Sequence, residues 1–189
     1  MLDYIALGTV FHTEMTGYDI KKEIEIGVGN YYKASYGSLY PALEKLATKG
    51  YLTMTETAQG KRIKKYYQIT DEGRVAFLEW LALPADFSAG SLKLMTAKIY
   101  FYGELPADIR QKRLQEFEFF AQQRLQTLRK LEKSHTTSEY SDRDYFEMAT
   151  LYLGIQNVIT NIRWVQHIQE HKTLSAFIQE IGGQANEKS

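Results

Sequence analysis

Cysteine is absent from this 189-residue chain, which excludes disulfides, thiolate metal sites and cysteine nucleophiles. Such a composition fits a reducing, intracellular setting. Long apolar runs are missing as well: no stretch approaches the roughly 20 residues that a membrane span requires. The opening MLDYIALGTVFHTEM carries Asp3 and no basic leader. It does not read as a secretion signal, and a cytoplasmic location without membrane attachment is expected. An excess of one charge is also lacking, because 23 Lys and Arg balance 23 Asp and Glu. That zero sum argues at first against a polyanionic partner. The marks of catalysis are missing too: there is no GxSxG, no HExxH and no glycine loop placed to cradle phosphate after a strand. The four histidines are scattered. His167 and His171 have i, i+4 spacing with Glu170 between them, but no third ligand is near, so an exposed helix end is expected there. No catalytic residue, metal or cofactor is assigned.

What remains is the pattern of an ordinary globular chain, 44% hydrophobic and 24% charged. The charge is unevenly spread. Between Lys33 and Lys65 seven basic residues stand against Glu44 and Glu56, and a local surplus of this kind makes an electrostatic footprint whatever the global sum.

The first segment, from Leu2 to about His12, places Leu2, Ile5, Ala6, Thr9 and Val10 on one helical face. Thr16 and Asp19, three residues apart, cap a second helix that ends near Gly27 or Gly29. Ser35 is the N-cap expected for a third, which runs to Lys49 and stops at Gly50. This third helix contains both a glycine and a proline. The Pro41 ring would clash with the carbonyl of the residue four before it. That residue is Gly37, whose missing Cβ relieves the strain or lets a partner backbone approach; phosphate and the second helix are the two candidates. After Gly50 the period changes: YLTMTET and KKYYQIT are β-rich and flank AQGKRI, which reads as a hairpin with a basic tip. Tyr66 and Tyr67 fall on opposite faces, one toward the core and one toward the surface. Asp71-Glu72-Gly73 opens a fourth helix with Phe77, Trp80 and Leu81 as apolar contacts. Three helices, a hairpin and a returning helix describe a winged helix-turn-helix.

LALPADFSAG, residues 81–90, gathers Pro, Gly and Ser and marks a domain boundary. The expected division is a winged helix-turn-helix over 1–84, a helical domain over 90–175 and a flexible tail over 182–189. The fold class is mainly α, with a β-hairpin wing and a C-terminal antiparallel helical domain. A short helix covers 91–102. Pro106 begins a long helix to about Lys133, with Leu114, Phe117, Ala121, Leu125, Leu128 and Leu131 as its stripe. A loop over 134–141 leads to Ser141, the cap of a last helix reaching about His171. In that helix Tyr145, Met148, Tyr152, Ile155, Ile159 and Ile162 make one apolar face, while Leu151, Val158 and Val165 make a second and Phe146, Leu153 and Trp164 a third. A helix apolar nearly all round must be covered on more than one side, and a symmetric homodimer supplies the cover. Asn157 and Asn161 either fix register across that seam or face water.

Three blocks in order, GYDIKK, SYGSLYPALEKLATKGYL and GKRIKKYYQITDEGR, resemble the PadR family of winged-helix transcriptional regulators. The resemblance spans residues 4 to about 82, and the C-terminal helices are similar to the family's long form. It implies a DNA-binding regulator, a repressor by expectation, that dimerises through its C-terminal helices and often holds an effector cavity near the interface. In a helix-turn-helix the N-terminal residues of the second helix meet the major groove. Ser35, Tyr36, Gly37, Ser38 and Tyr40 are therefore candidate contacts, with half-buried packing as the other role for the tyrosines. Lys61, Arg62, Lys64 and Lys65 suit phosphates beside the groove, or else form a solvated basic loop. Tyr18, at the start of the second helix, meets phosphate or packs inward, and Lys21 and Lys22 are exposed. Trp80, Phe117 and Trp164, with Phe87, Phe120 and residues 100–102, line a cavity for a small aromatic or hydrophobic effector or belong to the core. The expected partners are thus a double-stranded operator and a second copy of the chain. A winged-helix protein-interaction module without DNA binding is the alternative, and a small helical enzyme or ligand carrier a third.

Overall fold

The computed structural model describes residues 1–29, 32–59, 62–84, 91–134, 141–171, 173 and 175–179. The order is α1 (Leu2–Thr9), β1 (Met15–Thr16), α2 (Gly17–Gly27), α3 (Tyr36–Thr48), β2 (Leu52–Gln59), β3 (Arg62–Ile69), α4 (Asp71–Ala82), α5 (Ser91–Tyr100), a 3-10 turn (Tyr102–Glu104), α6 (Ala107–Ser134) and α7 (Asp142–Gln169). It is mainly helical, a winged helix-turn-helix followed by helices. Among the described residues no helix is long and apolar enough to cross a membrane.

The chain forms two compact units, Met1–Arg110 and Gln111–Ser189. In the first, Ile5, Leu7, Ile20, Ile24, Leu39, Leu43, Leu46, Phe77 and Leu81 make the core. Within α2, α3 and α4 these are i, i+3/i+4 positions, as the periodicity requires. The sheet is antiparallel in the order β1-β3-β2, with Met15 opposite Tyr67 and Leu52 opposite Ile69. Tyr67 and Ile69 point inward while Tyr66 is half-buried, the alternation expected of a strand. The wing strands reach Gln59 and Arg62, so they extend into AQGKRI.

A backbone junction ties this unit together. Gly50 turns the chain at φ +74°, a conformation glycine adopts freely. Beyond it Tyr51 N–H donates to Leu46 O at 2.9 Å, and Thr70 N–H donates to Tyr51 O at 3.1 Å. The Thr70 hydroxyl donates to Gly50 O at 2.7 Å and accepts from Gly73 N–H at 3.0 Å. Thr70 is thus the N-cap of α4, which Asp71 opens as expected. At the other end of α4, Lys98 of α5 is 2% exposed. Its Nζ donates to Trp80 O at 2.6 Å and Leu83 O at 2.8 Å and lies 4.9 Å from the Trp80 ring centre. A cation at a helix C-terminus is favoured by the carbonyls that lack intrahelical partners. With Phe101 edge-on to Phe77 at 5.5 Å, this places α5 in the first unit, past the boundary expected at 81–90. Residues 85–90, including Phe87, lie outside the described residues, as does the 182–189 tail.

The second unit is an antiparallel hairpin of helices whose register is set by paired contacts. Gln111 meets Gln169 at 3.4 Å, the Glu118 carboxylate accepts from Gln166 at 2.6 Å and Gln169 at 3.0 Å, and Phe117 meets Trp164 edge-on at 6.5 Å. Farther along, Gly154 faces Leu128, and Leu131 borders a small hollow with Met148 and Leu151. Ser141 caps α7 in a reciprocal pair with Asp144. The apolar face expected to meet a second chain is divided by this packing. Met148 and Ile155 are buried within the chain, so they serve its own core. Ile159 and Ile162 are half-buried, and Tyr145 and Tyr152 are exposed beside Phe146 and Leu153. His167 is buried against Phe177, 4.9 Å between ring centres, not at the exposed helix end that its spacing suggests.

Candidate nucleic-acid interface

The side of α3 that is not core forms the site. Leu39, Leu43 and Leu46 are buried, and the adjoining flank carries Tyr36 and Tyr40, each 41% exposed. Their i, i+4 spacing stacks the rings, 6.0 Å apart and 20° from parallel, a favourable aromatic arrangement. Tyr18, at the start of α2, is 62% exposed, which takes it out of the core.

Ser35 and Ser38 are the cap of α3. Ser35 Oγ accepts from Ser38 N–H at 3.2 Å, and Ser38 Oγ accepts from Ser35 N–H at 3.1 Å. Two of the donors that a helix N-terminus leaves unpaired are thereby satisfied. The serines hold the helix start, so anything docking here meets hydroxyls already engaged with the backbone. Gly37 lies between them. A Cβ built there would meet only Ser35 Oγ, at 3.9 Å, so no packing on α2 demands the glycine. The helix runs through Pro41 without a break.

The wing flanks this face. On β3 the period of two puts Ile63 and Lys65 on the same side as buried Tyr67, which leads from the core outward to the tip. Tyr18, Tyr40, Lys64, Lys65 and Tyr67 line an open cleft between α2, α3 and the wing. Burial pushes the Tyr67 phenol up from its ordinary value, with Tyr40 and Glu44 adding to the shift, so it enters the cleft wall neutral. Lys64 is exposed opposite Thr57, whereas Lys65 Nζ lies 3.6 Å from its cross-strand partner Glu56. Both members of that pair are about half exposed, and such pairs contribute little. Lys61 lies outside the described residues, and Arg62 opens β3.

Lys21 departs from its expected free exposure. It is half-buried, donates to Glu25 one turn on and sits 4.8 Å from the centre of the Tyr36 ring. The Glu25 hydrogen bond raises its pKa, which keeps the ammonium charged over the aromatic face. Lys22 is exposed. The packing of α2 on α3 creates this contact, a relation that the spacing within α2 alone does not reveal.

The expected effector residues fall in separate units. Trp80 stacks flat on Tyr4, 4.9 Å apart and 1° from parallel, beneath Lys98, and so has a packing role in the first unit. Phe117 and Trp164 contact one another in the second. Among the described residues no group of three His, Asp or Glu is placed to hold a metal ion.

Comparison with known proteins finds two family matches and several relatives. Residues 7–79 match the family described as transcriptional regulator PadR-like, and residues 95–171 match one described as virulence activator alpha C-term. The chain is 25% identical over 173 residues to the negative transcriptional regulator PadR of Bacillus subtilis, covering 89% of this chain and 95% of that protein. Among solved structures it is similar to Bacillus subtilis PadR in complex with operator DNA, at 24% identity over 90% of this chain and 98% of that one, with a TM-score of 0.44. It is also similar to Bacillus subtilis PadR in complex with p-coumaric acid, at 22% identity over 89% and 93%, with a TM-score of 0.41. The two matches fall in succession on the winged helix-turn-helix and on the helices that follow: residues 7–79 are a domain of the PadR-like family of transcriptional regulators.

Proposed function

We propose that this chain is a sequence-specific DNA-binding repressor that acts in the cytoplasm as a homodimer. Each copy inserts the N-terminus of α3 into one major groove of a pseudo-palindromic operator, and the half-sites lie about one DNA turn or a multiple apart. Tyr18, Tyr36 and Tyr40 meet the groove edges and phosphates, and Gly37 lets the DNA backbone come close. Lys64 and Lys65, with Lys61 and Arg62, grip the flanking phosphates. The observation that carries this reading is the pairing of an exposed aromatic helix start with wing lysines around one open cleft, beside the core face of α3. The repressor sense is supported by the Bacillus subtilis relative, a negative regulator.

The two copies meet through the exposed stripe of α7, Tyr145, Phe146, Tyr152 and Leu153, whose heptad spacing makes a band two residues wide. A small aromatic or hydrophobic effector, bound either beside Trp80 or beside the Phe117–Trp164 pair, changes the separation of the two DNA-binding heads of the dimer and weakens binding. Because the chain has two tryptophans, ligand quenching in Trp80→Phe and Trp164→Phe proteins assigns the site to one of them.

The deciding measurement is the salt dependence of affinity for a duplex selected from a random pool. A steep fall from low to moderate salt is expected, and Lys64→Ala with Lys65→Ala should reduce the log–log slope by about two. A flat dependence together with a double variant indistinguishable from wild type rules out the DNA-binding reading.

A further inference from the structure

Two residues of α2 hold the tyrosine pair of α3. Gly17 is buried, and a Cβ built on it would lie 2.7 Å from Tyr40 Cε1 and 3.1 Å from both Tyr40 Cζ and the Tyr40 hydroxyl. The Tyr40 ring therefore rests directly on the backbone of the first residue of α2. Lys21, one turn further along the same helix, covers the Tyr36 ring and is held in place by Glu25. Residues 17 and 21 on α2 thus match residues 36 and 40 on α3 turn for turn. The stack is pinned at both ends, by an absent side chain under Tyr40 and by a cation over Tyr36. A half-exposed tyrosine pair with no such seat would sample several rotamers, and ordering each ring on binding would oppose affinity.

We infer that Gly17 and Lys21 are positioning residues for DNA recognition: they fix the aspect of Tyr40 and Tyr36 without themselves touching DNA. The inference rests on the proposed DNA-binding function. It assigns the glycine of GYDI a role in binding, where its position as first residue of a helix would suggest only a loop-to-helix transition. Alanine at a helix start is intrinsically preferred to glycine, so absent the Tyr40 contact Gly17→Ala would be harmless.

A double-mutant cycle on the full-length protein, using the duplex selected by wild type, tests this. Gly17→Ala should weaken binding about tenfold in the wild-type background. In a Tyr40→Ala background, where the ring is gone, it should change binding less than about twofold. Lys21→Met leaves the backbone untouched, so it keeps the test open if Gly17→Ala folds poorly. It should weaken binding about threefold with the salt slope unchanged, and have no effect beside Tyr36→Leu. Ring resonances of Tyr40 and Tyr36 should shift in the single variants at unchanged fold. Equal losses in both backgrounds, no loss at all, or a slope reduced by about one in Lys21→Met, the mark of a direct phosphate contact, would each overturn the inference while leaving the DNA-binding reading intact. Failure to select any duplex overturns that reading and the inference with it.

Discussion

Two glycines show how differently the same residue is constrained. A Cβ at Gly73 would stand 2.2 Å from the carbonyl oxygen of Tyr51, a backbone atom fixed by its bond from Thr70. Gly73→Ala should therefore lower stability by about 2–3 kcal/mol in chemical denaturation. Gly37 has open space on its Cβ side, so Gly37→Ala should raise stability by up to about 1 kcal/mol while weakening affinity for a selected duplex. A variant that gains stability and binds as before would remove Gly37 from the interface. The sequence already pointed to Gly37, because Pro41 and the adjacent tyrosines single it out. Gly73 carried no such sign, since its constraint comes from a strand-end carbonyl 22 residues earlier in the chain. Lys21 was misjudged for the same reason: its partner Tyr36 lies on a neighbouring helix.

At the scale of elements, the helices and the wing could be read from periodicity and caps, with Thr16, Ser35 and Ser141 all found at the N-caps assigned to them. Two pieces could not. The two-residue strand β1 is too short to carry a pattern, and the buried Lys98 reads in isolation as one more surface cation on α5. Its two carbonyl acceptors on α4 give it a structural role that substitution can measure. Lys98→Met should lower stability by about 1–2 kcal/mol, since the helix end loses its cap. Lys98→Glu should lower it by at least about 3 kcal/mol, because a carboxylate would then face two carbonyl oxygens in a buried site. Equal losses in urea denaturation would mean that packing volume, rather than the charge at the helix end, is what Lys98 supplies.

For the whole molecule, the first compact unit runs to Arg110, which changes where it can be cut. A fragment of residues 1–110 should melt cooperatively and remain monomeric by light scattering. A fragment of residues 1–88, stripped of Lys98 and Phe101, should melt at a lower temperature. In the full chain, Tyr152→Asp with Leu153→Glu should yield monomers, whereas a dimer that survives both changes places the interface elsewhere. Periodicity alone shows that α7 is over-apolar but not which side its own hairpin partner takes, and so Met148 and Ile155 are expected at a surface they do not reach. The junction of Gly50, Tyr51, Thr70 and Gly73 has a consequence at this scale too. It joins the end of α3, both wing strands and the start of α4 through short hydrogen bonds, so in the proposed complex groove contact and flanking grip would be set at a constant angle within each copy. A dimer built from such units has one adjustable length, the span between its two copies. Discrimination among operators would then depend on how far apart, and on which face of the duplex, the half-sites lie, as much as on their base sequence.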